Sequence, residues 1–168
     1  MYLQGQRRHS ISIICTSVEE HQQSWGQKKL GLIGLLQEHF DFTSTSQIAL
    51  EIDPRTLEEE MAAVLGEAGV HRASLGVQSS DPVVQAINRT QSDEQTMQAV
   101  SRLRRAGVDS INFDLIYGLP HQTVESCIET TKVAIEMRPD RLGVFGYAHV
   151  PSFKKCQRLI DEGALAHG

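Results

Sequence analysis

The chain has 168 residues, enough for one domain with a real hydrophobic core. It is 40% hydrophobic and 22% charged with a formal net charge of −5, a balance that disfavours nucleic acid or an anionic membrane as its main partner. No apolar run is long enough to span a bilayer, and Ile11–Cys15 behind Arg7 and Arg8 is too short for a signal peptide.

The cysteines, Cys15, Cys127 and Cys156, are odd in number and far apart, so a reducing, cytoplasmic setting is expected and a disulfide framework is not. The seven histidines form no H-x-H or H-x3-H pair and read as structural rather than metal-ligating.

In chain order, residues 1–28 read as an irregular N-terminal segment, with one short strand candidate at Ile11–Cys15; residues 29–168 read as a single domain. Lys29–Phe40 has helical spacing through Leu30, Ile33, Leu36 and Phe40. Gln47–Ile52 is predicted as a strand ending at Glu51, Asp53 and Pro54. Thr56 with Glu59 predicts a capping box, opening a helix with an inner stripe of Leu57, Met61, Val64 and Ala68 and a stop at Gly69. Ala73–Val77 is the next predicted strand, with Gln78 just past its end, and Val83–Asn88 a short helix. Ser92 and Gln95 make a second capping box before a stripe of Met97, Val100, Leu103 and Ala106, closed by Gly107.

Ile111–Pro120 reads INFDLIYGLP: a short apolar run that Gly118 and Pro120 end, which suits a buried strand. Asp114 interrupts it, and a carboxylate there needs a partner or a ligand. Thr123–Arg138 is predicted as the longest helix, with Val124, Ile128, Thr131 and Ile135 inward. Arg141–Tyr147 is the last strand and Phe153–Glu162 a short final helix.

Glu67-Ala-Gly-Val70 and Arg105-Ala-Gly-Val108 each lead into a strand, with their glycines 38 residues apart. That period fits repeated βα units, hence parallel strands with crossover helices. Glu51, Gln78, Asp114 and Tyr147 then fall at or near the C-terminal ends of successive strands, where parallel α/β barrels bind ligands.

EIDPR (51–55), SLGVQ (74–78), INR (87–89), DLIYGLPHQT (114–123) and PDRLGVFGYAHVP (139–151), followed by QRLID (157–161), occur in this order. Together they closely resemble oxygen-independent coproporphyrinogen III oxidase of the radical S-adenosylmethionine family. The resemblance covers about Phe40 to Leu165. It implies an α/β fold, a partial parallel (β/α) barrel of the radical S-adenosylmethionine type with about four barrel strands retained. It also implies a cofactor pair, S-adenosylmethionine and a [4Fe–4S] cluster held by a Cys-x3-Cys-x2-Cys loop. The implied substrate is coproporphyrinogen III, whose propionates become vinyl groups in haem biosynthesis; the electron donor is unknown. Glu51 and Gln78 fall where the family contacts the ribose hydroxyls of S-adenosylmethionine, and Arg89 where a guanidinium meets its carboxylate. Asp114 falls at another contact, and Phe145 and Ala148 fall against the adenine.

The sequence departs from that pattern. It contains no Cys-x3-Cys-x2-Cys, and Trp25-Gly26 runs directly into Gln27-Lys28-Lys29 where the family has a WGGGTP loop. A form lacking the cluster loop and the C-terminal cover domain is therefore expected, without turnover and prone to self-association through open strand edges. The alternative reading is a non-catalytic haem- or nucleotide-binding protein of the haem-chaperone-like branch, with His149 or Cys156 as the iron ligand.

Overall fold

The computed structural model describes residues 10–13, 31, 33–42, 46–79, 91–153, 155–160 and 162–165. Among the described residues, five strands form one sheet in the order β1-β2-β3-β4-β5: β1 Ser10–Ile13, β2 Gln47–Ile52, β3 Val70–Gln78, β4 Ser110–Tyr117 and β5 Arg141–Gly146. All four pairings are parallel. The four expected barrel strands are β2 to β5; β1, within the segment read as irregular, adds a fifth beside β2. Helix α1 covers residues 33–39, and α2 (Glu59–Glu67), α3 (Asp93–Arg105) and α4 (Val124–Glu136) connect successive strands from β2 onward. The expected helix at Val83–Asn88 and Arg89 lie outside the described residues.

Side chains alternate between the two faces of a strand. Ile48, Leu50 and Ile52 of β2, Ala73, Leu75 and Val77 of β3, and Ile111, Phe113 and Leu115 of β4 are buried. They share one core with Ala62, Leu65, Ala99, Leu103 and Ala134 of the helices. The opposite face carries Ala49, Glu51, Arg72, Ser74, Gly76, Asn112, Asp114, Ile116, Gly143 and Phe145, none fully buried. A sheet with helices on one side and an open, polar other side is the geometry of a barrel wall.

The inner stripes of the helices match expectation only in part: Leu57 and Leu103 are buried and Met61, Ala68, Val100 and Ala106 pack half-buried against the core, while other positions differ. Thr56 spends its amide and hydroxyl on the Asp53 carbonyl, at 3.2 and 3.3 Å, in the turn after β2. Helix α2 therefore starts at Glu59 behind Glu58, with no capping box, and buries Ala62 and Leu65. The box at Ser92 and Gln95 does form. Its helix buries Thr96, Ala99 and Leu103 and leaves Met97 57% exposed, because Gln91 and the Ser92 carbonyl satisfy the Thr96 hydroxyl. Helix α4 buries Thr130 and Ala134, whereas Val124, Ile128 and Ile135, expected inside, are at the surface. The expected final helix is instead two 3-10 turns, Lys155–Leu159 and Glu162–Ala164. Gln157 ties the first of them to the Val150 amide and the Ala148 carbonyl, and the His121 amide donates to the Ala164 carbonyl.

At the N-terminal end of β4 the Asp140 carboxylate accepts from the Ile111 amide at 2.8 Å and pairs with Arg104 at 2.5 Å. The backbone N–H first, and the guanidinium after it, hold its carboxyl below the ordinary aspartate value of 3.8. A depressed folded value means that this contribution to stability is complete above 3.8 and is lost as pH falls through the lower folded value. Urea unfolding of the parent and of Asp140→Asn should therefore differ at neutral pH and converge in acid. A gap that stays constant down to the acid limit would refute the assignment.

Candidate functional site

The open face of the sheet is organised by β4. Asp114 is paired in register with Gly76 on one side and Gly143 on the other, so neither neighbour on its face has a side chain. It lies at the fifth of the eight residues of β4, deeper in the strand than expected, because β4 continues through Tyr117. Ser74 Oγ donates to Asp114 Oδ2 at 2.7 Å. Asn112 Nδ2 donates to Asp114 Oδ1 and to Ser74 Oγ, each at 2.7 Å. Sequence reasoning missed both partners; their signal was a period of two, Asn112 with Asp114 and Ser74 with Gly76.

Glu51, next to last in β2, is paired in register with Ser74. Its half-buried carboxylate has no hydrogen bond or ion pair among the described residues. Arg72 and Arg141 line the N-terminal end of the same face, opposite Ala49 and Asn112 respectively. At the other end Phe145, 56% exposed, folds back towards Gly143: a Cβ added to Gly143 would lie 3.0 Å from the ring and 2.8 Å from Asp114 Oδ1. The bare Gly143 backbone thus brings an aromatic plane and a carboxylate together. An aromatic ring is a stacking surface for a flat heterocycle, and carboxylates accept from hydroxyl and ammonium groups.

Gln78 ends β3 in the left-handed region at φ 68°, at a register irregularity where Leu115 pairs with it. The kink turns the chain off the sheet, and Ser79 behind it is buried against Gln122 and Thr130. Ala148 lies just past β5 and is exposed. Tyr147 also follows β5; its amide bonds to the Tyr117 carbonyl at 2.8 Å and its hydroxyl meets His149 Nδ1 at 3.3 Å. The structure thus gathers Glu51, Asp114 and Phe145 on one face and puts Gln78 and Ala148 at its rim.

A sequence model of the Radical SAM superfamily matches residues 12–134, most of the chain. The chain belongs to the radical SAM superfamily. An oxygen-independent coproporphyrinogen III oxidase of Bradyrhizobium diazoefficiens is 56% identical over 138 residues, 82% of this chain and 31% of that protein. Protein y4hJ of Sinorhizobium fredii is 60% identical over 137 residues, 81% of this chain and 53% of that protein. The structure of the Escherichia coli coproporphyrinogen III oxidase, a radical SAM enzyme, superimposes with a TM-score of 0.79 at 39% identity, over 84% of this chain and 33% of that one. The chain therefore spans about half the length or less of these relatives.

Superfamily members use S-adenosylmethionine and a [4Fe–4S] cluster. The residues present do not fit the cluster, which needs three thiolates close together. Cys15, Cys127 and Cys156 make no Cys-x3-Cys-x2-Cys loop. Cys127 lies on α4 in a groove with Tyr117, Ile128, Thr131 and Ile135, on the helix side of the sheet. Among the described residues, no three His, Cys, Asp or Glu side chains come together as a metal site. The open face does fit S-adenosylmethionine, which offers a flat heterocycle, a diol and an ammonium group. No helix among the described residues is long and apolar enough to cross a membrane.

Proposed function

We propose that this chain is an S-adenosylmethionine-binding part of a barrel of the oxygen-independent coproporphyrinogen III oxidase kind, without cluster-dependent turnover from these 168 residues alone. Glu51 and Gln78 take the ribose hydroxyls, Phe145 and Ala148 bracket the adenine, and Asp114 takes a further donor group. Arg89, outside the described residues, takes the carboxylate. Coproporphyrinogen III is the substrate of the whole assembly to which such a barrel belongs, and the cytoplasm its compartment. The observation that carries this reading is the open face itself, where Glu51, whose carboxylate has no hydrogen bond or ion pair among the described residues, and Phe145 flank Asp114 between two glycines.

Each hydrogen bond to a charged group contributes about 1.5–3 kcal/mol before ordering costs. Without a cluster to take the amino end and share the carboxylate with Arg89, a dissociation constant of roughly millimolar or weaker is expected, since about 1.4 kcal/mol is tenfold. Glu51→Ala or Asp114→Ala should remove binding in an NMR-detected titration; unchanged binding in both would sink the assignment. Anaerobic reconstitution with iron and sulfide should yield neither a cluster chromophore nor vinyl product, and either one would contradict the absence of turnover.

Self-association belongs to the same proposal. β5 is an edge strand, and Val144 on it, with Val124, Ile128 and Ile135 on α4, is more than half exposed. Apolar surface beside an unpaired edge favours association. Size-exclusion chromatography should show a concentration-dependent shift to larger species, and a monomer peak at every concentration would count against it.

A further inference from the structure

The three bonds among Ser74, Asn112 and Asp114 use every hydrogen that these side chains have. Asn112 has two amide hydrogens, and they go to Ser74 Oγ and Asp114 Oδ1. Ser74 has one hydroxyl hydrogen, and it goes to Asp114 Oδ2. The orientation of the amide is fixed by this logic, because reversing it would aim the Asn112 oxygen at a carboxylate oxygen. Asn112 Oδ1 is left buried and accepts no hydrogen bond among the described residues. What the cluster offers outward is acceptors alone: the remaining lone pairs of Asp114, on a face cleared by Gly76 and Gly143.

We infer that Ser74 and Asn112 are positioning residues that hold Asp114 as an acceptor-only contact for a donor group of the ligand. A free aspartate could rotate about χ2 and turn its oxygens away; two donors from neighbouring strand positions lock the plane of this one. A carboxylate so fixed discriminates by chemistry: it accepts from a hydroxyl or an ammonium and repels a carboxylate or phosphate. Nothing in this role requires the cluster, so it applies to the chain as it stands. The inference rests on the proposed binding of S-adenosylmethionine and adds to it two residues that never touch the ligand.

The test is an NMR-detected titration of the full chain with S-adenosylmethionine, with thermal melts as the check on folding. Ser74→Ala and Asn112→Ala should each weaken binding about tenfold, the worth of one hydrogen bond to a charged group. Ser74→Thr, which keeps the hydroxyl, should restore it to within about twofold. A folded Ser74→Ala that binds like the parent overturns the inference and leaves the binding reading intact. No saturable binding by the parent, or full binding by Asp114→Ala, overturns the binding reading itself. A second measurement needs neither ligand nor variant: the two Asn112 Nδ2 protons should exchange with water much more slowly than those of an exposed asparagine. Fast exchange of both overturns the inference whatever the titration gives.

Discussion

Gly66→Ala is expected to cost about 3 kcal/mol and to lower the melting temperature by roughly 6–12 °C. A Cβ at this position would lie 2.0 Å from the Ala106 carbonyl oxygen, 3.0 Å from its carbon and 3.2 Å from its Cβ. These are backbone and near-backbone atoms at the end of α3 and cannot swing aside as a long side chain would. Ala106 is the C-cap of α3, and the Val108 amide bonds back to the Leu103 carbonyl at 3.0 Å, so moving it disturbs the entry to β4. The two helices must part instead, loosening Ala62 and Leu65 against the sheet. Gly69 is the control: its φ is +76° but the space around it is open, so alanine there meets only backbone strain, about 1–2 kcal/mol. Urea unfolding of both variants decides; a Gly66→Ala midpoint equal to that of the parent would refute the close approach.

Gln122→Ala should cost about 2–4 kcal/mol, an effect out of proportion to its half-buried position. Its Nε2 donates to Ser79 Oγ at 2.9 Å and to the Ile116 carbonyl at 3.0 Å, while Oε1 accepts from the Leu119 amide at 3.2 Å. Ser79 and Leu119 are buried, so truncation strands polar atoms that water does not reach. Ser79 directly follows Gln78, whose left-handed backbone it pins, so the variant should also weaken ligand binding at the rim. Gln122→Glu keeps an acceptor for Leu119 but removes both donors and should be no better at neutral pH. Denaturant unfolding gives the answer, and a change within about 0.5 kcal/mol would mean that other groups carry the turn.

How far the sequence reveals this arrangement depends on how local each signal is. The β2, β4 and β5 strands were legible because apolar runs and turn residues bound them within a few positions, and β3 was found but underestimated at both ends. The Ser92 box was legible because its two partners are three residues apart. The Thr56 box had the same spacing and failed, because the turn after β2 claimed the threonine first. Helix phase was the weakest reading. In α4 the large apolar residues point outward, and Thr130 is buried because its hydroxyl donates to the Ser126 carbonyl at 2.9 Å. Hydrophobicity cannot rank a satisfied threonine above an isoleucine. Asp114 was visible as a charge in an apolar run, but its ring of partners was not: Ser74 is 40 residues away, and only strand register brings it near.

In this sheet the spatial order of the strands is their order along the chain. Every strand therefore finds its partner in the segment made just before it, and no early segment waits for a late one. The tertiary links close loops of similar size, 46 residues from Glu59 to Arg105, 38 from Ser74 to Asn112 and 29 from Ile111 to Asp140. Because closure entropy rises only with the logarithm of loop length, these steps cost nearly the same. Assembly can then follow the ribosome, each newly emerged βα unit adding to the growing edge. The same property makes the architecture tolerant over evolutionary time: a unit can be gained, shortened or lost at either end without rewiring the pairings that remain.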